Sequence, residues 1–284
     1  MTEFKIVPDQ YVVDAMGRDL RFHPSHVTEP ATLTLENVVH FNKNGFVQPI
    51  RIFDGSEADD LRAYFDRLLK QAIAEGQDSY SISTAHLKYG RVYDLLTHPR
   101  IVACVQDLLG PEVVGWGSHF FCKMPRDGKR VAWHQDASYW PMEPRINMTA
   151  WIALGPTFPE NGCLRLIPGS HKQWLDDEYQ PLDNASQFNR GLSAGQVDES
   201  KAVDVAMQPG EVAFFTEATL HGSNNNSSDV ARLGFSGRYT TPEVKFDVEA
   251  LKEQNIDYLA RTTLVRGEDK YNYNEAIRVE PPAK

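Results

Sequence analysis

The chain changes its periodicity at Gly110-Pro111, and that change limits the folds open to it. Before this point apolar residues recur at helical spacing. A short helical pattern from Leu35 (Val38, Val39, Phe41) stops at Asn44-Gly45, and 46–53 reads as a strand. A longer pattern with Ser56 as its cap keeps Leu61, Tyr64, Phe65, Leu68, Leu69, Ala72 and Ile73 at i, i+3, i+4, i+7 until Gly76. A third helical stretch, 91–109, is broken at His98-Pro99, where Pro99 is placed to open its second part. After the boundary come short β-branched or aromatic segments punctuated by turn residues: 113–124, 146–154, 163–167, 202–207, 212–216 and 231–239. Within 146–154, Ile146, Met148, Ala150, Ile152 and Leu154 alternate with Asn147, Thr149, Trp151 and Ala153, the period of a strand. Helices followed by a run of strands predict an α+β, mainly β domain: a sandwich or barrel with helices buttressing one face.

One domain is expected, with a helical section at about 35–110, a strand core at about 112–241, and a helix (248–259) and charged tail within 242–284. Residues 1–34 read as an irregular lead-in, 77–90 as a polar loop and 172–201 as a long loop of the kind used as a lid or binding loop.

The chemistry concentrates in Trp133-His134-Gln135-Asp136 and in His221-Gly222-Ser223 followed by Arg232. On an extended strand His134 and Asp136 leave the same face, giving an imidazole and a carboxylate as two corners of a metal site. His221, delivered by the turn and apolar strand of 209–215, is the candidate third ligand. Together they would form the 2-His-1-carboxylate face that suits non-haem Fe(II) and leaves coordination positions open.

Composition narrows the partners. With 29 Lys+Arg against 39 Asp+Glu the formal net charge is −10, which argues against nucleic-acid or anionic-membrane binding. A few local arginines can still receive an anionic small molecule. Cys104, Cys122 and Cys163 form no metal-like or disulfide-like spacing, the first five residues lack a signal-peptide core, and no run of 18 apolar residues exists. A cytoplasmic location and a small-molecule substrate are the expectations.

The order HxD, distal His with a following Ser, then Arg resembles the phytanoyl-CoA dioxygenase family of Fe(II)/2-oxoglutarate oxygenases. The resemblance runs from about Phe41 to Tyr239 and includes 118–123, 161–171 and Pro209-Gly210. It implies a double-stranded β-helix (jelly-roll or cupin-like) core and His134, Asp136 and His221 as catalytic iron ligands. It also implies Arg232, with Ser223, on the distal carboxylate of 2-oxoglutarate, a role suited to a guanidinium that pairs bidentately. Lys123 and Asn147 are further candidates for orienting that cosubstrate. The implied cofactors are Fe(II), 2-oxoglutarate and O2, and the implied reaction hydroxylates an unactivated C–H bond with release of succinate and CO2. Residues 93–100 and 133–140 are also similar to family members that halogenate carrier-bound amino acids. Those enzymes carry a small residue where Asp136 stands here, so hydroxylation is expected.

Candidate substrate residues are Tyr139, Trp140 and Arg145, which follow the HxD motif; Arg238, which shares a strand face with Arg232; and Tyr89, in a candidate covering loop with Lys88, as Arg190 is in the other. His119 reads as either a pocket group or a satisfied core histidine, the core role being slightly favoured. Three other readings stand beside this one. Gly191-Leu192-Ser193-Ala194-Gly195 matches the G-x-S-x-G elbow of serine hydrolases, although its flanks lack a strand and a helix. A zinc hydrolase using the same three ligands leaves Arg232 without a role. A non-catalytic ligand-binding barrel keeps the fold alone.

Overall fold

The computed structural model describes residues 21–76, 81–175, 180–181, 190–192, 194–253 and 260–282. Helix α1 (Leu35–Asn44) begins at Thr34, whose side chain accepts the Asn37 amide, and ends at Gly45 with φ 86°, a left-handed turn that favours glycine. Strand β1 (Phe46–Arg51) leads to helix α2 (Gly55–Ala74). The expected Ser56 cap is corrected to Asp54. The Asp54 carboxylate accepts the Glu57 amide and Glu57 reaches back to the Asp54 N–H, a reciprocal pairing that a cap at Ser56 lacks. Ser56 instead donates to Asp54. Helices α3 (Gly90–Leu96) and α4 (Pro99–Leu109) follow, with Pro99 opening α4 as expected. The end of the lead-in is ordered by Asp107 of α4, whose carboxylate accepts the amides of Ala31, Thr32 and Leu33 at 2.7–2.8 Å.

The strands form two main antiparallel sheets. The first contains β1, β2 (Ser81–Ser83), β3 (Val113–Lys123), β6 (Asn147–Ala153), β11 (Glu211–Thr216), β13 (Arg232–Thr240) and β15 (Thr263–Arg266). Its order is β1-β11-β6-β13-β3-β15, with β2 also on β3. The second contains β4 (Val131–His134), β7 (Leu164–Leu166), β10 (Val203–Val205) and β12 (His221–Ser223), in the order β10-β7-β12-β4. Strands β5 (Met142–Glu143) and β14 (Lys245–Phe246) pair with each other, as do β8 (Gln180–Pro181) and β9 (Arg190–Gly191). Helix α5 covers Val248–Glu253, and the rest of the expected helix, 254–259, lies outside the described residues.

Alternation along β6 and β13 decides which chemistry each face of the large sheet carries. Met148, Ala150, Ile152, Leu233, Phe235 and Tyr239 pack with Phe41, Phe65, Leu96, Val102 and Val105 of the helices in one apolar cluster. On the other face Trp151, Ala153, Ala213 and Phe215 pack against Leu164, Leu166 and Val205 of the small sheet. The polar residues of that inner face (Asn147, Thr149, Arg232, Ser236) are therefore trapped between the sheets. The charged tail departs from expectation, because Thr263–Arg266 pairs with β3 and extends the large sheet. So does the 77–90 loop, where Ser81–Ser83 pairs with β3. Strands this short carry too few periods to stand out in sequence. In the G-x-S-x-G stretch Gly191 closes a two-residue strand and Ala194–Gln196 is a single 3-10 turn; Ser193 lies outside the described residues. No helix among the described residues is long and apolar enough to cross a membrane.

Candidate active site

His134 ends β4 and His221 opens β12, and the two are register partners with ring centroids 4.0 Å apart. Gln135 is extended, so Asp136 returns to the His134 side although it begins a 3-10 turn (Asp136–Ser138) and not a longer strand. One Asp136 oxygen lies 3.5 Å from His134 Nε2 and the other 3.8 Å from His221 Nε2. Each imidazole donates Nδ1–H to the carbonyl two residues earlier, His134 to Ala132 and His221 to Thr219, both at 2.8 Å. These bonds fix the tautomer and put the lone pair on Nε2, the atom turned toward Asp136.

Electrostatics keep Asp136 and His221 ready as donors. Burial raises the Asp136 carboxyl, but His221, the His134 contact and Arg238 outweigh it and hold it at about 2. Burial, aided by His134, lowers His221 to about 4 against the pull of Asp136. At neutral pH the site therefore presents an ionised carboxylate and a neutral His221 imidazole. Two nitrogens and an oxygen within 4.8 Å of one another match the donor set and size of a facial metal site.

The triad opens into a cavity that reaches solvent. Its aromatic walls are Phe121, Tyr139, Trp140, Trp151 and Phe215; its polar residues include His119, Thr149, Ser223, Arg232, Ser236 and Arg238. Arg232 is 3% exposed, its guanidinium lies 5.6 Å from the Trp151 ring centroid, and its Nε has no hydrogen-bond partner. No carboxylate among the described residues pairs with it. A buried guanidinium lacking a counter-ion is costly unless a ligand supplies one, so the cavity suits a carboxylate-bearing cosubstrate. Gly234 makes this arrangement possible, since a Cβ there would lie 2.0 Å from the Trp151 ring.

Of the residues expected from sequence, His134, Asp136, His221, Ser223, Arg232, Tyr139, Trp140 and Arg238 line this one cavity. Four do not. Lys123, on the strand beside Arg232, sends its ammonium group to the Asn224 and Ser223 carbonyls, and burial with the Arg232 charge lowers it to about 6. Asn147 is buried at the start of β6, two residues before the lining Thr149. Arg145 lies 3.8 Å from the buried Glu217 carboxylate and stacks 4.2 Å from the Trp174 centroid. Tyr89 packs against the helical core with Lys88 above its ring.

Three further residues bear on the site. His119, for which the sequence left a pocket role beside a favoured core role, lines the cavity on β3 opposite Ser236. Burial and the Arg238 charge push it well below the ordinary imidazole range, so it is neutral. Thr149 faces the cavity, a position its alternation with Met148 already implied. Gln135, between two candidate ligands, points away from them. Its amide nitrogen donates to the Gln173 and Ala218 carbonyls, both at 2.7 Å, and its oxygen accepts the Leu175 amide. It thus joins the HxD segment to the start of the long loop and to the residues just before His221.

Residues 41–234 match the model of the phytanoyl-CoA dioxygenase (PhyH) family. The chain belongs to that family. Membership makes it a 2-oxoglutarate-dependent non-haem iron dioxygenase, using iron, 2-oxoglutarate and dioxygen. Family relatives include the peroxisomal phytanoyl-CoA dioxygenase of Rattus norvegicus, 24% identical over 273 residues that cover 87% of this chain and 80% of the relative. The ectoine dioxygenase of Bordetella parapertussis is 27% identical over 235 residues, covering 74% and 76%. Among solved structures, the apo form of the non-heme monooxygenase ThoJ superposes with a TM-score of 0.69 at 27% identity, covering 86% of this chain and 87% of the other. The first two relatives are named for dissimilar substrates, phytanoyl-CoA and ectoine, so family membership leaves the substrate open.

Proposed function

We propose that this PhyH-family enzyme hydroxylates an unactivated C–H bond of a small polar metabolite, such as an amino acid, amine, organic acid or phosphonate. In this reading the two sheets form a double-stranded β-helix whose small sheet carries the metal. His134, Asp136 and His221 hold Fe(II), and Arg232 with Ser223 binds the distal carboxylate of 2-oxoglutarate. The carrying observation is the single cavity that joins the His134–Asp136–His221 cluster to Arg232, a buried guanidinium without a counter-ion among the described residues.

The residues divide the work. The Nδ1–H bonds to Ala132 and Thr219 orient both imidazoles before metal arrives, which raises affinity and fixes the coordinating face. Arg232 gives a bidentate, charge-assisted pair, and Trp151 beneath it limits its rotation. Phe121, Trp140, Trp151 and Phe215 keep water from the reacting carbon. Bound iron, with 2-oxoglutarate as its reductant, supplies the oxygen-activating chemistry that these side chains lack. Asp136 occupies the corner a halide would need, which favours hydroxylation over halogenation.

The test is anaerobic addition of Fe(II) and 2-oxoglutarate to metal-free protein, followed by the visible metal-to-ligand charge-transfer band. Wild type should give the band, Asp136→Ala should lose it, and Arg232→Ala should need far more 2-oxoglutarate to form it. No band in folded wild type would remove this assignment of the site.

A further inference from the structure

Arg238, partly buried where Arg232 is buried, poses a related physical problem six residues further along β13. Both side chains leave the inner face of the strand, and at about 3.3 Å per residue their backbones stand roughly 20 Å apart. They therefore sit at opposite ends of the stretch of β13 that lines the cavity. Arg238 is flanked by the rings of Trp140 and Trp116, with its guanidinium carbon 4.9 and 5.5 Å from their centroids. The two rings meet edge to face, 4.8 Å apart, and form a corner that holds the arginine in place. No carboxylate among the described residues lies within ion-pair distance of it, and its buried Nε has no hydrogen-bond partner. Among the described residues, the carboxylate whose charge bears on it is that of Asp136, one of the candidate metal ligands.

Two more buried polar atoms at this end lack partners. Thr149, directly across the ladder from Arg238, lines the cavity with an unbonded hydroxyl. Trp116, packed against the guanidinium, has an unbonded indole N–H. Native interiors rarely leave such groups unsatisfied, and three together around one cation describe a polar subsite. Neutral His119, on the adjacent strand, faces the same space. Arg238 offers charge, Thr149 a hydroxyl, and Tyr139 and Trp140 an apolar wall beside them.

We infer that Arg238 and Thr149 form the substrate's anion-binding subsite, so that the enzyme takes a small molecule with a carboxylate or phosphonate head and a hydrocarbon flank against Trp140. The cavity then has one arginine for each of two anions: Arg232 for 2-oxoglutarate and Arg238 for the substrate. This narrows the preceding proposal and rests on it. It excludes simple amines and neutral alcohols from the substrate range while retaining amino acids, other organic acids and phosphonates.

The test uses matched probes that differ only in the head group: phenylacetate, phenylacetamide and benzylphosphonate, with hexanoate and hexanamide as a second pair. Binding is read from quenching of tryptophan fluorescence and from perturbation of the anaerobic Fe(II)–2-oxoglutarate band. Each acid should bind about ten-fold or more tightly than its amide. Comparing phenylacetate with benzylphosphonate then identifies the preferred anion. Arg238→Gln should abolish the acid preference yet keep the 2-oxoglutarate band, which also shows that the variant is folded. Arg238→Lys should retain part of the preference, and Arg232→Gln should weaken 2-oxoglutarate but not the acid-to-amide ratio.

Amides that bind as well as acids would overturn the inference. So would no binding of any acid, or an acid preference that survives Arg238→Gln. Loss of the 2-oxoglutarate band on Arg238→Gln with retention on Arg232→Gln would overturn it too, by exchanging the two roles. If wild type gives no band at all, the iron assignment fails by itself, while the fluorescence comparison on metal-free protein still decides the subsite.

Discussion

His134 and His221 face each other across β4 and β12 as register partners, and each donates Nδ1–H to the carbonyl two residues before it. The backbone thus aims both Nε2 atoms at the side where Asp136 stands. Replacing either histidine with alanine should lower Fe(II) affinity at least about a hundred-fold, more than the loss of a supporting group would. Equilibrium titration of metal-free protein with Fe(II) under argon reads this directly. Affinity within a few-fold of wild type would show that the pair does not hold the metal.

Arg232→Gln should raise the 2-oxoglutarate concentration for half-maximal band formation by about ten- to hundred-fold, the usual worth of a charged hydrogen bond. Ser223→Ala, which removes one hydroxyl from the same cavity wall, should have a smaller effect in the same direction. An order of effects with Ser223 above Arg232 would contradict the assignment.

Gly234→Ala probes how that arginine is supported. Its Cβ would fall 2.0 Å from the Trp151 ring, and Trp151 lies beneath the Arg232 guanidinium. Relieving the overlap must move the indole, so a stability loss of about 1–3 kcal/mol is expected. Denaturant unfolding measures it, and 2-oxoglutarate binding should weaken in the surviving folded protein.

Gln135→Ala tests the connection between the HxD segment and the long loop. Three hydrogen bonds, to Gln173, Leu175 and Ala218, would be lost, and the buried Ala218 carbonyl left unsatisfied would cost roughly 1–3 kcal/mol before relaxation. We expect lower stability together with weaker Fe(II) binding, whereas Gln135→Glu should recover the Leu175 contact alone. Unchanged metal affinity would show that the connection does not reach the ligands.

His86 and His171 should add acid sensitivity away from the metal site, beside that of His221. Burial lowers His86 and His171 to about 4. The unfolded chain binds those protons below the ordinary imidazole value, so stability is constant above pH about 6.5 and falls as pH drops from there toward 4. Each contributes roughly 1.4 kcal/mol per pH unit inside that window. Scanning calorimetry from pH 7.5 to 5 should show Tm falling by several degrees, with a shallower slope in His86→Gln/His171→Gln. Parallel slopes would refute the contribution.

The features of this protein that repeat or that depend on near neighbours are readable in its residues alone. The helical spacing of 56–76, the stop at Asn44-Gly45 and the opening at Pro99 became helices because turn-by-turn burial and local capping act within a few residues. The alternation of 146–154 fixed which side chains face the helices and which face the cavity, since a strand offers only two faces. The motif residues His134, Asp136, His221 and Arg232 were legible from their types and order.

Tertiary structure alone decided what those residues meet. Short strands such as β2 and β15 exist because the long strand β3 presents partners to them, and a three- or four-residue segment carries no period of its own. Whether a basic side chain between the sheets finds a carboxylate or carbonyl partner depends on residues far away in sequence. Arg145 meets Glu217 and Lys123 meets the 223–224 carbonyls, while Arg232 and Arg238 meet none among the described residues. All four are basic residues on or beside β-strands, and only the packing of the two sheets distinguishes a structural charge from one left facing a ligand.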